Sequence, residues 1–380
     1  MIYLDANATT PLDPAVLEAM LPFLRENQAN PSSSYSTGRQ ARRAVEAARD
    51  AVAALAGAEA REVVFTSCAT ESINTVHESV WHLWPEKPLL ITTAAEHAAG
   101  LECARRWQRR GGSVHHLKTG QSGLIDLAEL EAALKSAPAA LVSVLWANNE
   151  TGVIQPMREI TALAHAHGAL VHADAVQMIG KARLDAETDF LSLSGHKFHA
   201  PKGIGALVVN RHVRFEPLML GGGQESGRRS GTENVPGIAG LGKAAELAMK
   251  PCGSELRDVF ERGIRAQWPE VVIHGQNAPR LPTTSSICMP GIDAAGMLIL
   301  LDQAGVACSA GSACHTAALH PSHVLEAMGY DAAHAGSTLR FSFSRLNTME
   351  EAIRAVEIVL QAAQKLRLLA GADSSLVVCA

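Results

Sequence analysis

The runs Leu170-Val171-His172-Ala173-Asp174 and Phe190-Leu191-Ser192-Leu193-Ser194-Gly195-His196-Lys197 decide the fold of this chain. Each is a short apolar stretch that ends on polar groups, Asp174 in the first and His196-Lys197 in the second. Continuous apolar runs separated by longer amphipathic segments are what buried parallel strands and their crossover helices require. Five more runs of this kind lie on either side: Val63-Val64-Phe65, Leu89 to Thr93, Val114 to Leu117, Leu141 to Trp146 and Ala206 to Val209. Between them, segments such as Ile73, Val76, Val80, Trp81 and Trp84 carry apolar residues at helical spacing. The expectation is an α/β fold whose mostly parallel, seven-stranded sheet has helices on both faces.

Past Lys250 the pattern changes. Strands near Ser286 to Met289, Val306 to Cys308 and Leu339 to Phe343 alternate with helices in a smaller α+β unit, and Pro251-Cys252-Gly253-Ser254 marks the boundary. The last long helix has a start signal, because Thr348 and Glu351 have the spacing of a capping box.

Composition narrows the function classes. A chain of 380 residues with 47% apolar and 19% charged residues is long enough for more than one domain and has a globular balance. The 33 Lys and Arg against 38 Asp and Glu leave a net charge of -5, which argues against nucleic acid as a ligand. There is no apolar run of membrane-spanning length. The opening Met1-Ile2-Tyr3-Leu4-Asp5-Ala6-Asn7 lacks a signal-peptide pattern, so a cytoplasmic protein without a membrane partner is expected. The seven cysteines (68, 103, 252, 288, 308, 314 and 379) are scattered and odd in number, which disfavours a disulfide framework.

In an open α/β sheet ligands sit beyond the carboxyl ends of the strands, so the residues following each run are the candidates. They are Thr66-Ser67-Cys68-Ala69-Thr70, Glu96-His97, Asn148-Asn149-Glu150, Asp174 with Gln177, and Gly195-His196-Lys197. Small residues opening a helix after Phe65 suit a phosphate. A lysine and a carboxylate at neighbouring strand ends suit pyridoxal phosphate, which needs a Schiff-base lysine and an acidic partner for its ring nitrogen. Lys197 fits the first role better than Lys202, which reads as part of a turn.

Three further features stand out. In Cys308-Ser309-Ala310-Gly311-Ser312-Ala313-Cys314-His315-Thr316 the small residues describe a loop able to move. Cys314 would present a thiolate there, whereas Cys308 at a strand end reads as packing. The segment Gly221 to Asn234 combines glycines with Arg228, Arg229 and Thr232, an arrangement suited to an anion. Arg340 lies inside an apolar strand and needs an acidic partner, either a substrate carboxylate or a structural acid. His115-His116 and His165 with His167 lack the spacing of a metal pair, so no structural metal is expected.

Asn148-Asn149-Glu150-Thr151-Gly152, Asp174-Ala175-Val176-Gln177, Ser192-Leu193-Ser194-Gly195-His196-Lys197, Arg229-Ser230-Gly231-Thr232 and Gly311-Ser312-Ala313-Cys314, in that set and order along the chain, resemble the cysteine desulfurases of the nitrogen-fixation type. These belong to class V of the fold type I pyridoxal-phosphate enzymes. The resemblance runs from Tyr3 to the final helix. It implies a large cofactor-binding domain over residues 15–250, and a small domain built from residues 1–14 with 251–380 that carries the Cys314 loop. Lys197 would hold the cofactor as a Schiff base, Asp174 would pair with its ring nitrogen, Gln177 would bond its phenolic oxygen and His97 would stack on the ring. Ala69, Thr70, Ser194 and His196 would bind the phosphate, while Thr232 would reach the neighbouring subunit's phosphate in a homodimer. Asn149 and Arg340 would hold the carboxylate of L-cysteine. Cys314 would take its sulfur as a persulfide and pass it to an iron–sulfur scaffold or another acceptor protein, a transient iron–sulfur contact at Cys314 being the one metal role implied. Cys68, Cys308, His315 and Thr316 depart from the family pattern, which leaves selenocysteine lyase as the alternative and a class V aminotransferase as a more distant one.

Overall fold

A computed structural model describes residues 1–310 and 322–376. In chain order its strands are β1 (Ile2–Tyr3), β2 (Val63–Thr66), β3 (Leu89–Thr93), β4 (Ser113–Leu117), β5 (Ala139–Leu145), β6 (Leu170–Asp174), β7 (Phe190–Ser194), β8 (Gly205–Val209), β9 (Val272–Ile273), β10 (Thr284–Cys288), β11 (Val306–Ala307), β12 (Ser309–Ala310) and β13 (Thr338–Ser342). The seven runs read from the sequence become one seven-stranded sheet in the order β2-β8-β7-β6-β5-β3-β4. Its pairs from β7 through β4 are parallel, and only β8 runs against its neighbours β2 and β7. The fold is the expected mostly parallel α/β arrangement.

Helices cover both faces. On one side Ser36–Ala56 and Val235–Ala248 pack against each other, and their Val45, Val52, Ile238 and Leu241 join Val63, Phe65, Val142 and Leu193 in the main core. On the other side lies the helix Ala69–Leu83, whose Val76 and Val80 are buried with Leu90, Leu141 and Phe190. Trp81 and Trp84 from the same periodic pattern are partly buried at the edge of that cluster.

The smaller sheet has the order β12-β13-β10-β9, and it shares a separate core with the helices Glu255–Gln267 and Met349–Leu376 around Phe260, Phe341 and Phe343. The capping box forms as read: the Thr348 N–H donates to Glu351 at 3.1 Å and the Glu351 N–H to Thr348 Oγ1 at 3.2 Å. One expected strand is split. Val306 and Ala307 pair with β1, whereas Ser309 and Ala310 pair with β13, so the backbone changes sheet at Cys308. Ser309-Ala310 is therefore strand rather than the loop its small side chains suggest. The β1–β11 pairing also draws the amino-terminal segment onto the C-terminal unit, with Leu4 at 0% exposure in its core.

Gly205 shows how tightly the site end of the large sheet is built. It pairs with Thr66 on one side and Ser194 on the other. A Cβ there would lie 2.6 Å from Leu193 O and 3.0 Å from Cys68 Cα, both backbone atoms that cannot swing aside. The glycine lets the start of the helix Ala69–Leu83 approach the end of β7. We expect Gly205→Ala to cost about 1–3 kcal/mol. Gly223→Ala, where no atom lies within 4 Å of the added carbon, should stay within about 0.5 kcal/mol. Chemical denaturation of the two variants checks this.

Candidate active site

The carboxyl ends of β5, β6 and β7 open onto a cavity of about 380 Å³. Ten of the residues expected from the sequence line it: Ala69, Thr70, His97, Asn149, Asp174, Gln177, Ser194, His196, Lys197 and Arg340. Thr232 is exposed and is not among the lining residues. Cys314, with His315 and Thr316, lies outside the described residues.

Local structure explains each position. Asp174 is the last residue of β6 and is buried, and its Oδ1 accepts the Val176 N–H at 3.0 Å. Burial pushes its carboxyl above the ordinary value, while His97, the Val176 N–H and Lys197 pull it back. His97 caps the helix Ala98–Arg109, and its Nδ1 accepts the Ala99 N–H at 3.2 Å, which places the ring proton on Nε2.

Lys197 ends the short 3₁₀ turn Gly195–Lys197 directly after β7, and its Nζ donates to Asn7 O at 2.7 Å and Ala8 O at 2.8 Å. The turn is clamped from outside. Thr10 donates its N–H and its hydroxyl to His196 O, and its Oγ1 accepts the His199 N–H at 2.7 Å. That clamp holds His199 at φ 73°, a left-handed conformation costing roughly 1–2 kcal/mol for a side chain of this kind. Burial, then Lys197, keeps His196 neutral, with its pKa lowered to about 4.

The opposite wall is the N-terminus of the helix Ala69–Leu83, with Ala69 and Thr70 in its first turn. Ser194 lies on the same cavity, and its Oγ is buried with no hydrogen-bond partner among the described residues. A buried hydroxyl without a partner is costly and marks where a ligand oxygen belongs. Arg340 is 2% exposed. It donates to Asp5 Oδ1 at 2.7 Å and to Asn149 O at 3.1 Å, which leaves Nε as a further buried donor without a partner. Of the two outcomes posed by the sequence, the structural acid is present as Asp5, and Nε is left without a partner among the described residues.

The glycine-rich segment behaves differently from its reading. Arg229 pairs with Glu71 at 2.9 Å, and Glu71 also accepts the Ser67 N–H at 2.7 Å. Its guanidinium is committed to a carboxylate, and the contact ties the segment to the start of the cavity's helix. Cys308 packs against the smaller core, and burial pushes its thiol up to about 12, so it is not a thiolate.

Several residues here escaped the sequence reading. Asn7 and His323 line the cavity, and Lys181 is buried just behind it. The first two come from distant parts of the chain, and Lys181 reads as an ordinary turn lysine. Glu96, by contrast, is read from the sequence together with His97, and its side chain lies inside: Thr93 Oγ1 and the Leu145 N–H each meet a carboxylate oxygen at 2.8 Å. Burial, and to a smaller extent the charge of Asp174, raises its pKa to about 8. Among the described residues no group of three or more His, Cys, Asp or Glu is placed to hold a metal ion, and no helix is long and apolar enough to cross a membrane.

This lysine, carboxylate and anion-ready helix terminus at adjoining strand ends fit the family that the whole chain matches. The protein belongs to the aminotransferase class-V family, whose model aligns with residues 2–354. Within it, the chain is 45% identical over 379 residues to a cysteine desulfurase of Nostoc sp., covering 97% of this chain and 94% of that one. It is 44% identical over 379 residues to a cysteine desulfurase of Cereibacter sphaeroides, covering 97% of each. A solved NifS-like protein superposes with a TM-score of 0.89 at 37% identity, covering 96% of this chain and 99% of that one. A structure described as SspA in complex with cysteine does so with a TM-score of 0.80 at 34% identity, over 90% and 98% of the two chains.

Glu96 gives this site a pH signature. Its carboxyl binds a proton more tightly in the folded chain than at its ordinary value of 4.5, so its contribution to stability is complete below that value. The contribution is lost as pH rises through about 8. Glu96→Gln, which keeps an oxygen for Leu145 and offers an N–H to Thr93, removes this titration. We expect the melting temperature of the variant relative to the parent to rise between pH 5 and pH 8.5, as thermal melts across that range would register.

Proposed function

We propose that the chain is a pyridoxal-phosphate-dependent cysteine desulfurase that converts L-cysteine to L-alanine and holds the released sulfur as a persulfide on Cys314. The observation that carries this reading is the convergence on one cavity of Lys197, Asp174, the first turn of the helix Ala69–Leu83 and a Ser194 hydroxyl with no partner among the described residues. The donor set fits the cofactor. Ser194, His196 and the first-turn N–H groups of Ala69 and Thr70 suit a phosphate, and Asp174 suits a protonated ring nitrogen whose charge would offset the cost of burying the carboxylate. Gln177 would bond the phenolic oxygen, and His97 would stack on the ring. When bound, pyridoxal phosphate supplies an electron sink for a carbanion at the substrate Cα.

The chain's own groups do the rest. Arg340, through its unused Nε–H, and Asn149 would hold the substrate carboxylate and so fix which bond at Cα lies over the ring. Lys197 would be the amine that removes the Cα proton and returns a proton to the substrate. The Cys314 thiolate would then attack the substrate sulfur, an S–S bond forming as the C–S bond breaks, and the carbon skeleton would leave as alanine after taking up a proton. Thr232, exposed and away from this chain's own cavity, would serve the second subunit of a homodimer. The persulfide would pass to an iron–sulfur scaffold or another sulfur acceptor in the cytoplasm. The domain division would follow the two cores, residues 15–250 against 1–14 with 251–380.

The test is alanine and sulfide released by the purified protein from L-cysteine with a thiol reductant. Equal, sustained yields are expected. Lys197→Ala should lower the rate by at least about 10²-fold, and Cys314→Ser should abolish both products. Turnover that survives Cys314→Ser would remove the persulfide step and favour transamination. Turnover of selenocysteine with L-cysteine ignored would make the protein a selenocysteine lyase.

A further inference from the structure

Lys181 is a buried lysine to which the proposed chemistry gives no role. Its Nζ donates to Asn7 Oδ1 at 2.8 Å and to Gln177 Oε1. Burial, and then the charge of Lys197, lowers its pKa to about 7. In either protonation state the amine carries the two N–H donors that these acceptors require.

The consequence falls on two primary amides, whose oxygen and nitrogen ends exchange places on a half-turn. The Gln177 oxygen faces Lys181, and its Nε2 donates to Asn7 O at 3.0 Å. A flipped Gln177 would set oxygen against oxygen at Asn7 in either state and, with Lys181 protonated, N–H against N–H as well. Asn7 is held in the same way, with its oxygen on Lys181 and its nitrogen donating to Asn149 O at 3.1 Å and Thr284 Oγ1 at 2.9 Å. Gln177 lines the cavity, and its second Nε2–H has no acceptor among the described residues.

We infer that Lys181 is a positioning residue: it locks the amides of Asn7 and Gln177 in one orientation, so that Gln177 presents an N–H to the cavity and favours a ligand with an oxygen acceptor at that point. Lys181 does not line the cavity and acts only through its two neighbours. The inference rests on the reading of the cavity as a pyridoxal-phosphate site, whose phenolic oxygen is such an acceptor.

The experiment titrates pyridoxal phosphate into protein stripped of bound cofactor, reading affinity and the absorbance maximum of the bound form. It compares the parent, Lys181→Met, Gln177→Met and the double variant. Each single change is expected to weaken binding about tenfold and to shift the absorbance maximum in the same direction. The double variant should bind no more weakly than Gln177→Met, because both changes remove the same contact. Lys181→Gln, which keeps an N–H donor, is measured in parallel as the milder variant and should fall between the parent and Lys181→Met. Losses that multiply in combination with Gln177→Met, for either Lys181 variant, would overturn the inference. Parental affinity in Lys181→Met, beside a parent that binds, overturns this inference alone. A parent that takes up no pyridoxal phosphate overturns the cofactor reading and this inference with it.

Discussion

The hydrogen bonds of Asn7 are the constraint on which the rest of the site depends. Its side chain joins Asn149 beyond β5 to Thr284 on β10, its N–H donates to Ser342 on β13, and its oxygens accept from Lys181, Gln177 and Lys197. One residue near the amino terminus therefore ties the large sheet to the small one and accepts a hydrogen bond from the cavity's lysine. Its neighbours reinforce the tie, for Asp5 holds Arg340 and Thr10 clamps the turn that carries Lys197. Because Asn7 is 1% exposed, leaving any of these groups without a partner would cost a full desolvation penalty.

Burial gives the cavity its electrostatic character. Asp174, Glu96 and Lys181 are all withdrawn from water near one another, and in each case desolvation is the largest influence on the pKa, raising the acids and lowering the amine. Groups prepared in this way respond strongly to a charged ligand, because water contributes little screening. Arg340 belongs to the same pattern, since Asp5 neutralises it in part and its buried Nε–H has no partner among the described residues.

Much of this was legible in the sequence because it depends on local pattern. Apolar runs ending on Asp174 and on Gly195-His196-Lys197 revealed both the sheet and the edge at which to look for chemistry. The antiparallel course of β8 was less visible, since a four- or five-residue apolar run carries no mark of its direction. Asn7, Lys181 and His323 were not legible, because their significance lies in contacts between distant segments; Glu96 stood out at its strand end, but not its burial. Gln177 and Lys181 are four residues apart, a spacing that hints at contact but not that both are buried. Arg229 erred the other way: a loop arginine among glycines suggested an anion, and its partner proved to be Glu71 of this same chain. The split at Cys308 reflects competition between two sheets for one short segment, which composition does not encode.

The proposed function stands on pyridoxal phosphate being held in this cavity by Lys197. Borohydride reduction of the purified protein after incubation with pyridoxal phosphate, followed by peptide mass mapping, tests it most directly. The account predicts a single pyridoxyl modification, on Lys197. Modification of Lys181 or Lys202 in its place, or no modified lysine, would contradict it.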